Sequence, residues 1–138
     1  MQTELELLAR ALEAFYESFY KLASITFAWN ASLTAFAGAI LINSEKLSGM
    51  LVLYSTAIIG VIATLYNLSA IFVHKQIAKA SGEALTRVRD ICIEDGIQGL
   101  ADVIGGSKKN SRLVRAALNT VLSFLVLAWL AFTMFTLF

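Results

Sequence analysis

With 138 residues, 58% of them hydrophobic, and a mean hydropathy of +0.72, the chain is too apolar for an ordinary soluble domain and too short for a second one. One His and one Cys exclude the ligand spacings of zinc and iron–sulfur sites, so no cofactor is expected. The net charge of +1 excludes little, because the informative feature is where charges are absent.

Segment 3–22 spaces Leu5, Leu8, Leu12, Phe15, Phe19 and Leu22 three or four residues apart, with Glu6, Arg10, Glu13 and Glu17 on other faces. That pattern predicts an amphipathic helix. Phe15, Tyr16, Phe19 and Tyr20 stand where aromatic rings favour a membrane interface. The stripe continues through Thr26, Trp29, Leu33, Phe36 and Ile40 into a charge-free run, 22–44, so tail and run read as one long helix. In this run Ser24, Ala28 and Ser32 form one small-residue ladder and Ala31, Ala35 and Ala39 another, which predicts tight packing within the protein. Asn43–Lys46 is the only polar break before the second charge-free run, 47–73, and forces a helical hairpin.

The second helix passes His74 and Lys75 and keeps a stripe of Ile77, Ser81, Ala84, Val88 and Ile91 to about Cys92. Glu94, Asp95, Gly96 and Gly99 weaken it, and Ile97, Leu100, Val103 and Ile104 predict one further short helix. Gly105–Asn110 reads as the strongest break in the chain. Ser111 then caps a third helix, which carries the last charge-free run, 116–138.

A crossing helix needs about 20 apolar residues, because the hydrocarbon core is about 30 Å thick and a helix rises about 1.5 Å per residue. Each run is long enough. The expected fold is therefore all-α, an integral membrane three-helix bundle forming a single domain over 1–138. Its parts are an N-terminal amphipathic helix (1–21), a transmembrane hairpin (22–44 and 47–73), a cytoplasmic helical extension (74–115) and a third span (116–138). With three spans, segments 1–21 and 74–115 share a side and hold ten of the 11 Lys and Arg, while the opposite side holds Lys46. The positive-inside rule puts the N-terminus in the cytoplasm and the C-terminus outside. The first run has an acidic flank and a 21-residue tail before it, unlike a cleavable signal peptide. Cys92 falls on the reducing side and reads as a small apolar residue.

Motifs that carry chemistry are scarce. Gly105–Lys109 lacks the spacing of a phosphate loop. With no catalytic constellation, an enzyme is not expected. No acid or base lies inside a run, which disfavours a proton-coupled transporter. Asn30, Asn67 and Asn119 do lie inside, and an amide facing lipid is unfavourable, so each should face protein or water. On the second run Thr56, Gly60, Ala63, Asn67, Ala70 and His74 recur at three- or four-residue spacing and share a face. Two readings stand for this set: close helix packing, or the lining of a narrow water path ending at His74. The plainer reading of His74 itself is a solvated interface residue. Lys108, Lys109, Arg112 and Arg115 hold the orientation and can bind anionic lipid headgroups. Aromatics do not interleave with the charges, so no nucleic acid is expected.

The leading function is a small homo-oligomeric membrane protein acting as a channel or membrane-disrupting effector. The alternative is an anchor or regulator that holds a soluble cytoplasmic partner through its helical extension. Over 1–93 the layout of hairpin plus cytoplasmic helix resembles the small helical membrane effectors of bacterial antiphage systems; the third span departs from the two-span versions. A bacterial inner membrane is the expected location.

Overall fold

The computed structural model describes residues 2–137; the side chains of 2–4, 108, 110 and 111 are outside that description. Three long helices make up nearly all of it: α1 (Gln2–Ile42), α2 (Gly49–Glu94) and α3 (Gln98–Leu137). A single 3-10 turn, Ser44–Lys46, lies between α1 and α2. No strand occurs among the described residues. All three helices are long and apolar enough to cross a membrane by length and composition. At about 1.5 Å per residue each is roughly 60–70 Å long, about twice the hydrocarbon thickness.

Tail and first run are one helix, as the unbroken pattern predicts. The turn between α2 and α3 has a clear local cause. Gly96 adopts φ +73, a conformation that costs an L-residue with a side chain roughly 1–2 kcal/mol. Its N–H donates to the Ile93 carbonyl at 3.1 Å, and the Ile97 N–H reaches back to the Cys92 carbonyl at 2.8 Å. These two bonds are the Schellman arrangement that satisfies the last carbonyls of α2. Ile97 then accepts from Leu100 and Ala101 and opens α3.

The break expected at Gly105–Asn110 is absent, and so is the cap expected at Ser111. Backbone 105–111 is helical, and α3 starts at Gln98 instead. Glycine costs a helix about 1 kcal/mol against alanine but forbids nothing, whereas proline removes a donor, and this chain has none. A Cβ added at Gly105 or Gly106 meets nothing within 4 Å. Gly105→Ala and Gly106→Ala should therefore each stabilise the protein by about 0.5–1 kcal/mol. Reversible unfolding in detergent measures this, and a loss of stability at both sites would exclude a helical backbone there.

The fold divides into two compact units: Met1–Leu22 with Val73–Asn119, and Ala23–Phe72 with Thr120–Phe138. The division follows charge. Every charged residue except Glu45 and Lys46 belongs to the first unit. The second unit is the apolar one. Its buried positions are Thr26, Asn30 and Ala37 on α1, Thr56, Ile59, Gly60, Ala63, Thr64, Asn67 and Ala70 on α2, and Leu122, Val126, Trp129 and Thr133 on α3. On α2 and α3 these recur at three and four residues and on α1 at four and seven, the heptad-like spacing of left-handed helix packing.

This register corrects the stripe expected on α1. Trp29 and Phe36 are exposed, at 51% and 60%, and Asn30 and Ala37 are buried in their place. Both small-residue ladders of α1 are exposed as well, so they do not pack inside this chain. The buried Asn30 amide is hydrogen-bonded inside, and an unpaired buried amide would cost far more than exposing one apolar ring rather than another.

Candidate functional site

The polar core of the apolar unit is a closed clasp of three side chains, one from each helix. Asn30 Nδ2 donates to Asn67 Oδ1 at 3.0 Å, and Asn67 Nδ2 donates back to Asn30 Oδ1 at 2.9 Å. Trp129 Nε1 donates to the same Asn30 Oδ1 at 3.0 Å. The second donors go to the helices' own carbonyls, Asn30 to Thr26 and Asn67 to Ala63, each at 2.8 Å. Both amide nitrogens thus use both of their protons, and the Asn30 oxygen accepts twice. Asn67 is fully buried, and Asn30 and Trp129 nearly so.

The rest of the face is quieter. The hydroxyls of Thr56 and Thr64 donate to carbonyls one turn back, Val52 at 2.7 Å and Gly60 at 2.8 Å. At Gly60 the backbone of α2 lies close against Thr133 of α3. A Cβ there would run into Thr133 Oγ1 and lie 3.1 Å from Thr133 Cβ. Ala63 and Trp129 join Ala37 and Ile59 in the apolar cluster beside the clasp, with Leu33, Ile40 and Phe132 around it. The polar groups of this face are therefore consumed within the unit, and its one glycine sits against a neighbouring helix.

Of the residues singled out in the sequence, Asn30, Thr56, Gly60, Ala63 and Asn67 are buried together in the apolar unit. His74 and Asn119 belong to the charged unit, where Asn119 is half-buried. His74 is not the solvated residue expected of it. Its ring is 2% exposed, neither ring nitrogen has a hydrogen-bond partner, and Phe19 packs against it edge to face at 5.0 Å. Burial pulls its pKa below the usual 6.5, which favours the neutral ring. In the basic run Lys109 and Arg112 are exposed, while half-buried Arg115 donates from its guanidinium to the Ala78 carbonyl at 2.5 Å. The Lys108 side chain is outside the described residues.

Trp129 is the member that sequence reasoning missed. Its signal was present: Leu122, Val126, Trp129 and Thr133 follow one heptad-like stripe, and a buried indole N–H requires an acceptor.

No family model matches this chain, and no curated protein or solved structure is significantly similar to it. Function rests on its own geometry.

Proposed function

We propose that the protein crosses a membrane three times through 22–44, 47–73 and 116–138 and assembles with copies of itself into a pore-forming oligomer. The small-residue ladders of α1 carry this reading. Ser24, Ala28, Ala31, Ser32, Ala35 and Ala39 are all exposed, on a helix whose one amide within the charge-free run's interior, Asn30, is already satisfied inside. In lipid, small residues are where two helices approach closely, since apolar bulk gives no advantage there. Gly60 and Asn67 are engaged within the chain, so the lumen lies between copies and not along the face of α2.

Charge sets the orientation. The acidic tail, the basic stretch of α3 and the extension of α2 belong on the cytoplasmic side, and the C-terminus is external. A reporter after Gly106 should read cytoplasmic and one after Phe138 external; finding both on one side removes the three-span reading. The layout favours a bacterial inner membrane and makes permeabilisation the activity to assay.

Assembly has its own test. A cysteine at Ala35 should crosslink between copies, and one at the exposed Leu65 of α2 should not. The mass of the detergent-solubilised complex gives the copy number, and dye release from liposomes tests the pore. A monomer that crosslinks at neither position defeats the oligomer. The second reading, an anchor for a soluble partner, is favoured by the long stretches of α2 and α3 beyond the charge-free runs. A stable 1:1 complex with a soluble protein and no liposome leakage would establish it.

A further inference from the structure

The charged unit holds a partly open cavity walled by Phe15, Tyr16, Phe19, Tyr20, Ile77 and Val114. Its volume is about 70 Å³. One water needs roughly 10–15 Å³, but it also needs two to four polar partners. The surface of this wall is mostly apolar: besides the phenols of Tyr16 and Tyr20, the Ser81 hydroxyl is turned to the Ala78 carbonyl at 3.1 Å and the Arg115 guanidinium donates to that same carbonyl. The space suits methylene groups.

Ala78 and Arg115 line this cavity and also a second, polar groove. In that groove Lys79, Arg87, Arg112 and Arg115 are set against Glu83 and Asp90. The bond from the Arg115 guanidinium to the Ala78 carbonyl fixes its charge where the two spaces meet. An apolar slot thus opens beside a groove of net positive charge. Along the helices, the cavity residues lie one to eight positions outside the charge-free runs. That distance is within about 12 Å by helical rise, the depth of lipid headgroups and the water next to them.

We propose that cavity and groove together bind one anionic phospholipid, an acyl chain against the aromatic wall and the phosphate on the basic side of the groove. The depth of the site rests on the membrane reading above, which the topology reporters test separately. If the reporters confirm three spans and lipid selectivity is absent, this site alone falls.

The test is native mass spectrometry of the full-length, detergent-solubilised protein. The probes are dioleoyl phosphatidylglycerol, dioleoyl phosphatidylcholine, dihexanoyl phosphatidylglycerol and inorganic phosphate. One phosphatidylglycerol should bind at least tenfold more tightly than phosphatidylcholine, since each basic group near an anionic headgroup is worth about 1 kcal/mol. Arg112→Gln and Lys79→Gln, both at exposed positions, should each weaken phosphatidylglycerol about fivefold and leave phosphatidylcholine unchanged. Ala78→Phe should fill the slot and weaken both long-chain lipids at least tenfold, with circular dichroism reporting whether it folds. If it does not fold, chain length and the two charge variants decide. Equal binding of the two dioleoyl lipids overturns the proposal. So does dihexanoyl binding as tight as dioleoyl, displacement by excess inorganic phosphate, or full binding by a folded Ala78→Phe protein.

Discussion

Asn30→Leu should destabilise the protein more than any other single change in the clasp, by about 3 kcal/mol. The asymmetry of hydrogen-bond deletion is the reason: leaving a buried donor or acceptor unmatched costs about 1–3 kcal/mol, more than the bond itself contributes. Asn30 takes part in all three hydrogen bonds of the clasp that cross between helices. Its loss leaves Asn67 Oδ1, one Asn67 amide proton and the Trp129 indole N–H without their clasp partners, while Asn67 Nδ2 keeps its bond to the Ala63 carbonyl. Asn67→Leu breaks two of the three and leaves Trp129 bound to Asn30, so about 2 kcal/mol is expected. Trp129→Phe breaks one, and the Asn30 oxygen keeps its bond from Asn67, so the hydrogen-bond loss is about 0.6 kcal/mol, typical of membrane interiors. The pair Asn30→Leu with Asn67→Leu should cost clearly less than the sum of the singles, because removing both amides leaves only the indole unmatched. Reversible unfolding in bicelles with increasing dodecyl sulfate measures all four. Additive losses, or a Trp129→Phe effect larger than that of Asn30→Leu, would show that the amides are not coupled.

The clasp also shows how far the sequence could be read. The helices that carry the charge-free runs were legible, because long apolar stretches without proline give nothing to stop a helix. The buried face of α2 was legible too: Thr56, Gly60, Ala63, Asn67, Ala70 and His74 repeat small and polar residues at heptad-like spacing against large apolar neighbours, and all six are buried. On α1 the apolar residues run all the way round, so size gives no inward direction. The stripe that continues from the tail runs through Trp29 and Phe36, which are exposed. The polar residues were the better guide, since Thr26 and Asn30 cannot face lipid cheaply and both are buried. His74 failed for a different reason. Its neighbour Lys75 suggested water, and the ring that covers it, Phe19, comes from 55 positions away in the chain. Composition near a residue does not report a partner at that separation. The uninterrupted α3 was missed because a Gly-Gly-Ser run reads as a breaker from propensity alone, while its cost is small beside a helix of 40 residues.

Gly60→Leu should have the other large effect, a loss of about 3 kcal/mol or more, because there is no space for the side chain. The added Cβ alone would meet Thr133 Oγ1 and lie 3.1 Å from Thr133 Cβ and 3.5 Å from its Cα. Two of these three atoms persist in any residue but glycine, so α3 itself must move, and overpacking of this kind costs about 1–3 kcal/mol before further leucine atoms are placed. Gly60→Ala is the sharper probe. It gains about 1 kcal/mol of helix propensity and still meets the Thr133 hydroxyl, so its net effect should be a smaller loss. Thr133→Ala removes that hydroxyl at little cost of its own, since its one bond here is local, to the Trp129 carbonyl at 2.8 Å. The double variant Gly60→Ala with Thr133→Ala should therefore recover most of what Gly60→Ala loses. Three roles for this face give three results. A contact between α2 and α3 requires the rescue at position 133. A water-lined path would leave stability and oligomer mass unchanged and stop dye release in Gly60→Leu. A face open to lipid would leave Gly60→Leu stable and active, and with it the close approach of the two helices would be excluded.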